Sequence, residues 1–117
     1  MSDEETETTQ PVPPTVSSKA RSLLRSMAHR LEPVVQLGGD GLSESVIEAV
    51  NTALGDHELI KVRLGKSFAG ERKASGRQLA EAVGADLTQV IGRVIVLYRP
   101  RPGKDDEKRP RIKLPTR

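Results

Sequence analysis

Val34-Val35-Gln36-Leu37-Gly38-Gly39-Asp40-Gly41-Leu42-Ser43 is the stretch on which the fold turns. A short apolar run ends in a glycine-rich tetrapeptide, and an amphipathic helical pattern opens at Ser43. That order reads as strand, tight turn, helix. Glycine lets the turn take a positive φ and leaves no side chain to obstruct approach. The first N–H groups of the following helix, with the positive end of its dipole behind them, make such a turn a place to hold a phosphate. Gly-Gly-Asp-Gly also occurs in ordinary turns, so the flanking sequence has to decide what the turn is for.

Toward the N-terminus, Ser17 or Ser18 can cap a helix whose apolar stripe runs Ala20, Leu23, Leu24, Met27, Ala28 and Leu31. Pro33 is expected to close it, because the residue before a proline is driven out of the α region. Arg21, Arg25 and His29 fall on the outer face at successive helical turns. Toward the C-terminus, Ser43 can cap a second helix with the stripe Val46, Ile47, Val50, Ala53 and Leu54, ended by Gly55. Glu58 to Leu64 alternates, with Ile60, Val62 and Leu64 to one side and Lys61 and Arg63 to the other. This is a half-buried strand with a basic outer face.

Gly65 to Gly70 reads as a loop and Glu71 to Val83 as a third helix, weakened by Gly76 at about 1 kcal/mol relative to alanine. Gly84 ends it. Two strands follow, about Thr88–Ile91 and Val94–Tyr98, and Gly92-Arg93 suits a two-residue turn with glycine first. The order α-β-α-β-α-β-β implies an α/β fold: a compact two-layer domain with a mixed four-stranded sheet packed with helices. Residues 1–16, rich in Thr, Glu and Pro, read as a disordered acidic tail, and 17–100 as the domain. Residues 101–117 read as a basic, mostly flexible tail in which Arg111-Ile112-Lys113-Leu114 is a candidate edge strand.

Composition narrows the function. The chain has 117 residues and no cysteine, so disulfides, zinc–thiolate sites and thiol nucleophiles are excluded. No apolar stretch approaches the ~18 residues of a membrane span, and no signal or transit pattern is visible, so a cytoplasmic location is expected. Residues 1–17 carry a net −4, which against a total of +3 leaves +7 on the remainder. A basic body of this kind has polyanions as natural partners. No Lys-Ser or Lys-Thr follows Gly41, so the turn is not a P-loop. His29, on the polar side of the first helix, and His57, after the end of the second, read as surface or capping histidines. No Asp or Glu pair with a nucleophile recurs at a spacing that predicts a shared site, and metal-ligand spacings are missing. An enzyme, a cofactor and a small-molecule substrate are therefore not expected.

Three segments carry a family resemblance: Ala28-His29-Arg30-Leu31-Glu32-Pro33-Val34-Val35 with Leu37-Gly38-Gly39-Asp40-Gly41-Leu42-Ser43; His57-Glu58-Leu59-Ile60-Lys61-Val62; and Val90-Ile91-Gly92-Arg93 to Val96-Leu97-Tyr98-Arg99. In order and spacing they resemble the YhbY-type CRM domain across residues 18–100. The resemblance implies an RNA-binding domain associated with assembly of the large ribosomal subunit. It also implies a sheet similar to that of the C-terminal domain of translation initiation factor three. Its Gly-x-x-Gly loop, likened to the backbone clamp of KH domains, falls here on Gly38, Gly39, Asp40 and Gly41. Asp40 is a departure. Its carboxylate either repels a phosphate or caps the helix or the loop, and the sequence leaves both readings open.

Phe68 and Tyr98 are the only Phe, Tyr or Trp residues, so recognition by a row of stacked bases is not available. Phosphate and shape contacts are expected instead. The candidate RNA-binding residues are Gly38, Gly39, Asp40 and Gly41, with Arg21, Arg25 and Arg30 beside the loop, then Lys19, Lys61, Arg63, Arg93 and Arg99. The expected partner is ribosomal RNA or a precursor of the large subunit, bound by a monomer. A protein-interaction module, a general RNA chaperone and a duplex-DNA binder are the rival readings.

Overall fold

The computed structural model describes residues 14–100 together with Ile112 and Leu114. The chain runs α1 (Ser18–Ala28), β1 (Pro33–Leu37), α2 (Glu44–His57), β2 (Leu59–Leu64), α3 (Arg72–Val83), β3 (Asp86–Ile91) and β4 (Val94–Tyr98). This is the expected order. The four strands form one sheet in the order β1-β2-β4-β3, with β1 parallel to β2 and the other two pairings antiparallel.

The alternation in β2 divides the interior. Ile60, Val62 and Leu64 face a core that contains Leu37, Ile95 and Leu97 from the sheet, Val50 and Leu54 from α2, and Leu79 and Val83 from α3. Full burial of such a side chain contributes about 1.5–3 kcal/mol. Leu59, Val96 and Tyr98 face the opposite way and meet Leu24 and Ala28 of α1. Helices therefore lie on both faces, which refines the expected two layers: α2 and α3 cover one side, and α1 covers part of the other.

Several boundaries differ from the sequence expectation for tertiary reasons. The α1 helix ends at Ala28, and Pro33 opens β1 instead of closing the helix. Pairing Pro33 with Lys61 requires the chain to reverse after Ala28, which it does through the turn bonds His29 N–H to Ser26 O and Leu31 N–H to Ala28 O. Only Ala20, Leu24 and Ala28 of the stripe are buried, while Leu23, Met27 and Leu31 stay exposed. The α2 helix continues through Gly55 to His57, and Glu58 takes the positive φ of 65° instead. Its N–H donates to Leu54 O at 3.0 Å and its carbonyl accepts from Arg99 N at 2.9 Å, so the backbone is held from both sides. A non-glycine residue in such a region costs on the order of 1–3 kcal/mol.

The β3 strand starts at Asp86, earlier than the expected Thr88, and its pairing with β4 shifts between Leu87 and Gln89. Gly76 lies where α3 meets this strand: a Cβ there would sit 3.2 Å from Leu87 Cδ1 and 3.3 Å from Val90 Cγ2. Of the proposed tails, most residues lie outside those described. Val16, Ile112 and Leu114 pack against the Leu24–Tyr98 cluster, and neither Ile112 nor Leu114 is in a strand. Arg111 and Lys113 of the candidate edge strand lie outside the described residues.

Candidate nucleic-acid interface

Leu37 ends β1, and the chain then closes a tight turn in which Gly41 N–H donates to Gly38 O at 3.1 Å. Gly41 has a φ of +64°, so glycine is needed there for conformation. Gly38 and Gly39 differ. Neither has a left-handed φ, and a Cβ on either would meet Ser67 at ordinary contact, 3.5 and 3.8 Å. The fold would accept a side chain at both positions. Their bareness leaves main chain open to approach from outside.

Ser43 caps α2: its Oγ accepts from Val46 N–H at 3.3 Å and its carbonyl from Ile47 N–H at 3.0 Å. The helix-capping role left open for Asp40 thus belongs to Ser43, and Asp40 is exposed. Beside the turn runs a second loop, from Gly65 to Gly70. Gly65 N–H donates to Leu37 O at 2.8 Å, and Phe68 N–H to Gly65 O at 3.1 Å. A Cβ on Gly65 would strike Leu37 O at 3.0 Å, so this glycine serves close packing of the two loops. The exposed Lys66 follows it and precedes Ser67, the residue nearest the bare glycines. Sequence reasoning missed Lys66. The available signal was a cation in a glycine-flanked loop directly after a basic strand.

The candidate cations fall into two groups. Three arginines are engaged in holding the fold. Arg21 pairs with Asp86, Nη2 to Oδ1 at 2.6 Å and Nε to Oδ2 at 3.3 Å. That hydrogen bond raises its pKa above the ordinary arginine value. Arg93 donates from Nε to Leu64 O at 3.0 Å and from Nη2 to Gly65 O, bracing the second loop. Arg99 donates to Val83 O at 2.8 Å and to Asn51 Oδ1 at 2.7 Å, stapling the end of α3 to α2. Desolvation lowers its pKa from the ordinary value.

Position separates them too. Asp86 pairs with Tyr98, which also pairs with Leu59, whereas Leu37 pairs with Leu64 at the other end of the sheet. Arg21 is therefore anchored at the end opposite the glycine turn, which corrects the expectation that it lies beside the loop. Arg63 is the residue before Leu64 and is exposed; Lys61, two residues back on the same face, is half-buried. Arg25 reaches the hollow that Lys61 also lines. The structure thus brings together Gly38–Gly41, Lys66, Arg63, Lys61 and Arg25 as a path from the turn across the uncovered part of the sheet to α1. Lys19 and Arg30 are exposed on α1 and just after it.

Among the described residues, no group of three or more His, Cys, Asp or Glu could hold a metal ion, and no helix is long and apolar enough to cross a membrane.

Known proteins resemble this chain in sequence and fold. The sequence matches the CRS1 / YhbY (CRM) domain over residues 16–99. It is 40% identical over 86 residues to a Haemophilus influenzae protein named RNA-binding protein, covering 74% of this chain and 87% of that one. A probable RNA-binding protein of Methanocaldococcus jannaschii is 39% identical over 103 residues, covering 85% of this chain and 76% of that one. The solution structure of a hypothetical protein from Staphylococcus aureus, proposed to bind RNA, superposes with a TM-score of 0.69 at 35% identity, over 86% of this chain and all of that one. With the glycine turn, the basic strand and the closing hairpin all inside the matched region, this chain belongs to the CRS1/YhbY (CRM) domain family.

Proposed function

We propose that this protein binds structured ribosomal RNA, as a cytoplasmic monomer acting in assembly of the large ribosomal subunit, and that the RNA backbone is gripped at Gly38–Gly41. The observation that carries this reading is the bareness of Gly38 and Gly39, where neither φ nor packing calls for glycine. A ribose-phosphate strand can then reach main chain, and Lys66, Arg63 and Lys61 neutralise its phosphates. Lys61 and Arg63 stand about 7 Å apart along β2, roughly one nucleotide step. Arg25, Arg30 and Lys19 extend the positive surface, while Arg21, Arg93 and Arg99 act by holding the elements in place. Relatives named as RNA-binding or probable RNA-binding proteins support RNA as the ligand.

The test is a salt titration. Each neutralised phosphate of a single strand contributes about −0.7 to the slope of log K against log salt. Replacing Arg63 and Lys66 together by glutamine should weaken RNA binding and flatten that slope by about 1.4. An unchanged slope rejects the proposed path. Crosslinking in cells, followed by sequencing of the attached RNA, tests the ribosomal target: reads concentrated in large-subunit RNA support it, and reads spread over all transcripts favour a general RNA chaperone.

One observation favours a second reading, a protein-interaction module. Met27, Leu31 and Val34 are exposed and border a hollow of about 380 Å³ floored by Leu59 and Ile60. A defined complex that survives nuclease and is lost in Met27→Ser would support it.

A further inference from the structure

The C-terminal half of α1 and the sheet beneath it do not close fully on each other. Between them is a shallow hollow of about 100 Å³. Its floor is apolar, made by Ala28, Val94 and Val96, with Ile91 at the edge. Its rim is polar: Arg25 of α1 and His29 just after it face Lys61 of β2 and Gln89 of β3. The space is well below the roughly 300 Å³ at which closed small-molecule pockets begin. It is open to solvent on one side and lies on the same cationic path as the glycine turn.

Gln89 reaches this hollow because of an irregularity. Leu87 pairs with Leu97 and Gln89 with Val96, so Thr88 is the extra residue of a bulge. Strict alternation from Asp86 would put Thr88 and Val90 on the α1 face. The bulge instead turns Gln89 and Ile91 to that face and gives Val90 to the core. Re-aiming a side chain is what such bulges do. The buried Thr88 hydroxyl, donating to Asp86 Oδ2 at 2.9 Å, holds the bulge in register. Ile91, meanwhile, is 58% exposed, the most exposed of the large apolar side chains among the described residues.

Resting on the RNA reading above, we infer that this hollow takes one unstacked nucleobase of the bound RNA. Single-stranded bases are held by a planar group stacked on the ring and by hydrogen bonds to its edge. Tyr98 is buried and Phe68 half-buried, so neither offers a platform. The Arg25 guanidinium and the His29 imidazole supply planes of the required kind. The Gln89 amide carries both donors and an acceptor, which is what reading a base edge requires. Lys61 holds the adjoining phosphate, and the valine floor excludes water from the inner face of the ring. The glycine turn then grips backbone while this hollow selects a base, two separable contributions on one strand.

Fluorescence anisotropy with the four single-stranded homopolymer RNAs of equal length, at two salt concentrations, tests the assignment on the full chain. The wild-type protein should prefer at least one base by about fivefold or more, in keeping with the stacking energies of single-strand binders. Gln89→Leu keeps the size and removes the amide, and should shrink that preference at least threefold (about the loss of one edge contact) without changing the salt slope. Arg25→Lys keeps the charge and removes the plane, and should weaken the preferred homopolymer with the slope retained. Equal binding of all four RNAs by the wild type, or a preference untouched in both variants, overturns the assignment. If binding responds to Arg63 and Lys66 but not to Gln89, the base hollow fails and the RNA reading stands. If no homopolymer and no ribosomal fragment binds at all, both fail together.

Discussion

Arg21 and Asp86 stand 65 positions apart in the chain and are joined by two hydrogen bonds, the shorter 2.6 Å. The carboxylate is buried and its second oxygen also accepts from Thr88. One pair thereby ties α1 to the first residue of β3 and to the bulge that follows it.

Arg21→Ala should lower stability by about 1–3 kcal/mol, because it leaves a buried carboxylate short of its main donor. The lower half of that range is expected, since the guanidinium is about one-third exposed and partly screened. Arg21→Lys should recover little, as an ammonium cannot make the two-pronged contact. Urea unfolding measures both. The RNA salt slope of the folded variant should match wild type, and a flattened slope would show that Arg21 touches phosphate after all.

Gly39→Ala and Gly41→Ala should separate binding from folding. At Gly39 a methyl group meets only ordinary contacts, so stability should stay within about 0.5 kcal/mol while RNA affinity drops several-fold. At Gly41, with φ at +64°, the same change should cost about 1 kcal/mol or more in stability. Thermal melts and anisotropy titrations on the same preparations decide it.

Arg99→Ala should destabilise by about 1–3 kcal/mol through the lost bonds to Val83 O and Asn51. A double-mutant cycle with Asn51→Ala should give a coupling of about 0.5 kcal/mol or more, since both changes remove one contact.

Glu71 caps α3 by accepting from Ala74 N–H at 2.7 Å, and that hydrogen bond holds its pKa below the ordinary glutamate value, with Lys73 and Arg77 adding in the same direction. A lowered folded-state pKa means stabilisation that is complete above the unfolded value of about 4.5 and is lost as pH falls through the folded one. The stability gap between wild type and Glu71→Ala should therefore be widest near neutrality and narrow below pH 4.5. A gap independent of pH would remove the carboxylate from the cap.

Much of the fold is legible because its signals are local. The alternation of Ile60, Val62 and Leu64, the Ser43 cap and Gly84 at the end of α3 each depend on near neighbours, and each stands where spacing puts it. Glu58 shows the opposite case. Residue type favours Gly55 as the helix stop, but the bond Glu58 N–H gives to Leu54 O and the one its carbonyl accepts from Arg99 fix the positive φ at Glu58. Gly76 reads along the chain as a defect, and only the approach of Leu87 and Val90 gives it a purpose.

The site divides in the same way. Main-chain availability at Gly38–Gly41 and the outward faces of Lys61 and Arg63 follow from local pattern. Helical spacing puts Arg21 in one row with Arg25, and nothing within a few turns announces Asp86 as its partner. Gln89 is hidden for a related reason. A bulge reverses the inside–outside alternation from that point on, and bulges are set by pairing with β4 rather than by composition.

The carboxylate of Glu58 receives the N–H of Ile112 at 2.6 Å, and Ile112 and Leu114 roof the small cluster of Leu24, Leu59 and Tyr98. The packed unit thus extends past residue 99, where the match to the family model ends. A fragment trimmed to the shared region would bare a greasy patch beneath α1 and deprive an inward-facing acid of one donor. Anyone shortening this chain for crystals or spectra should expect a stickier, softer molecule and would do better to keep residues up to at least Leu114.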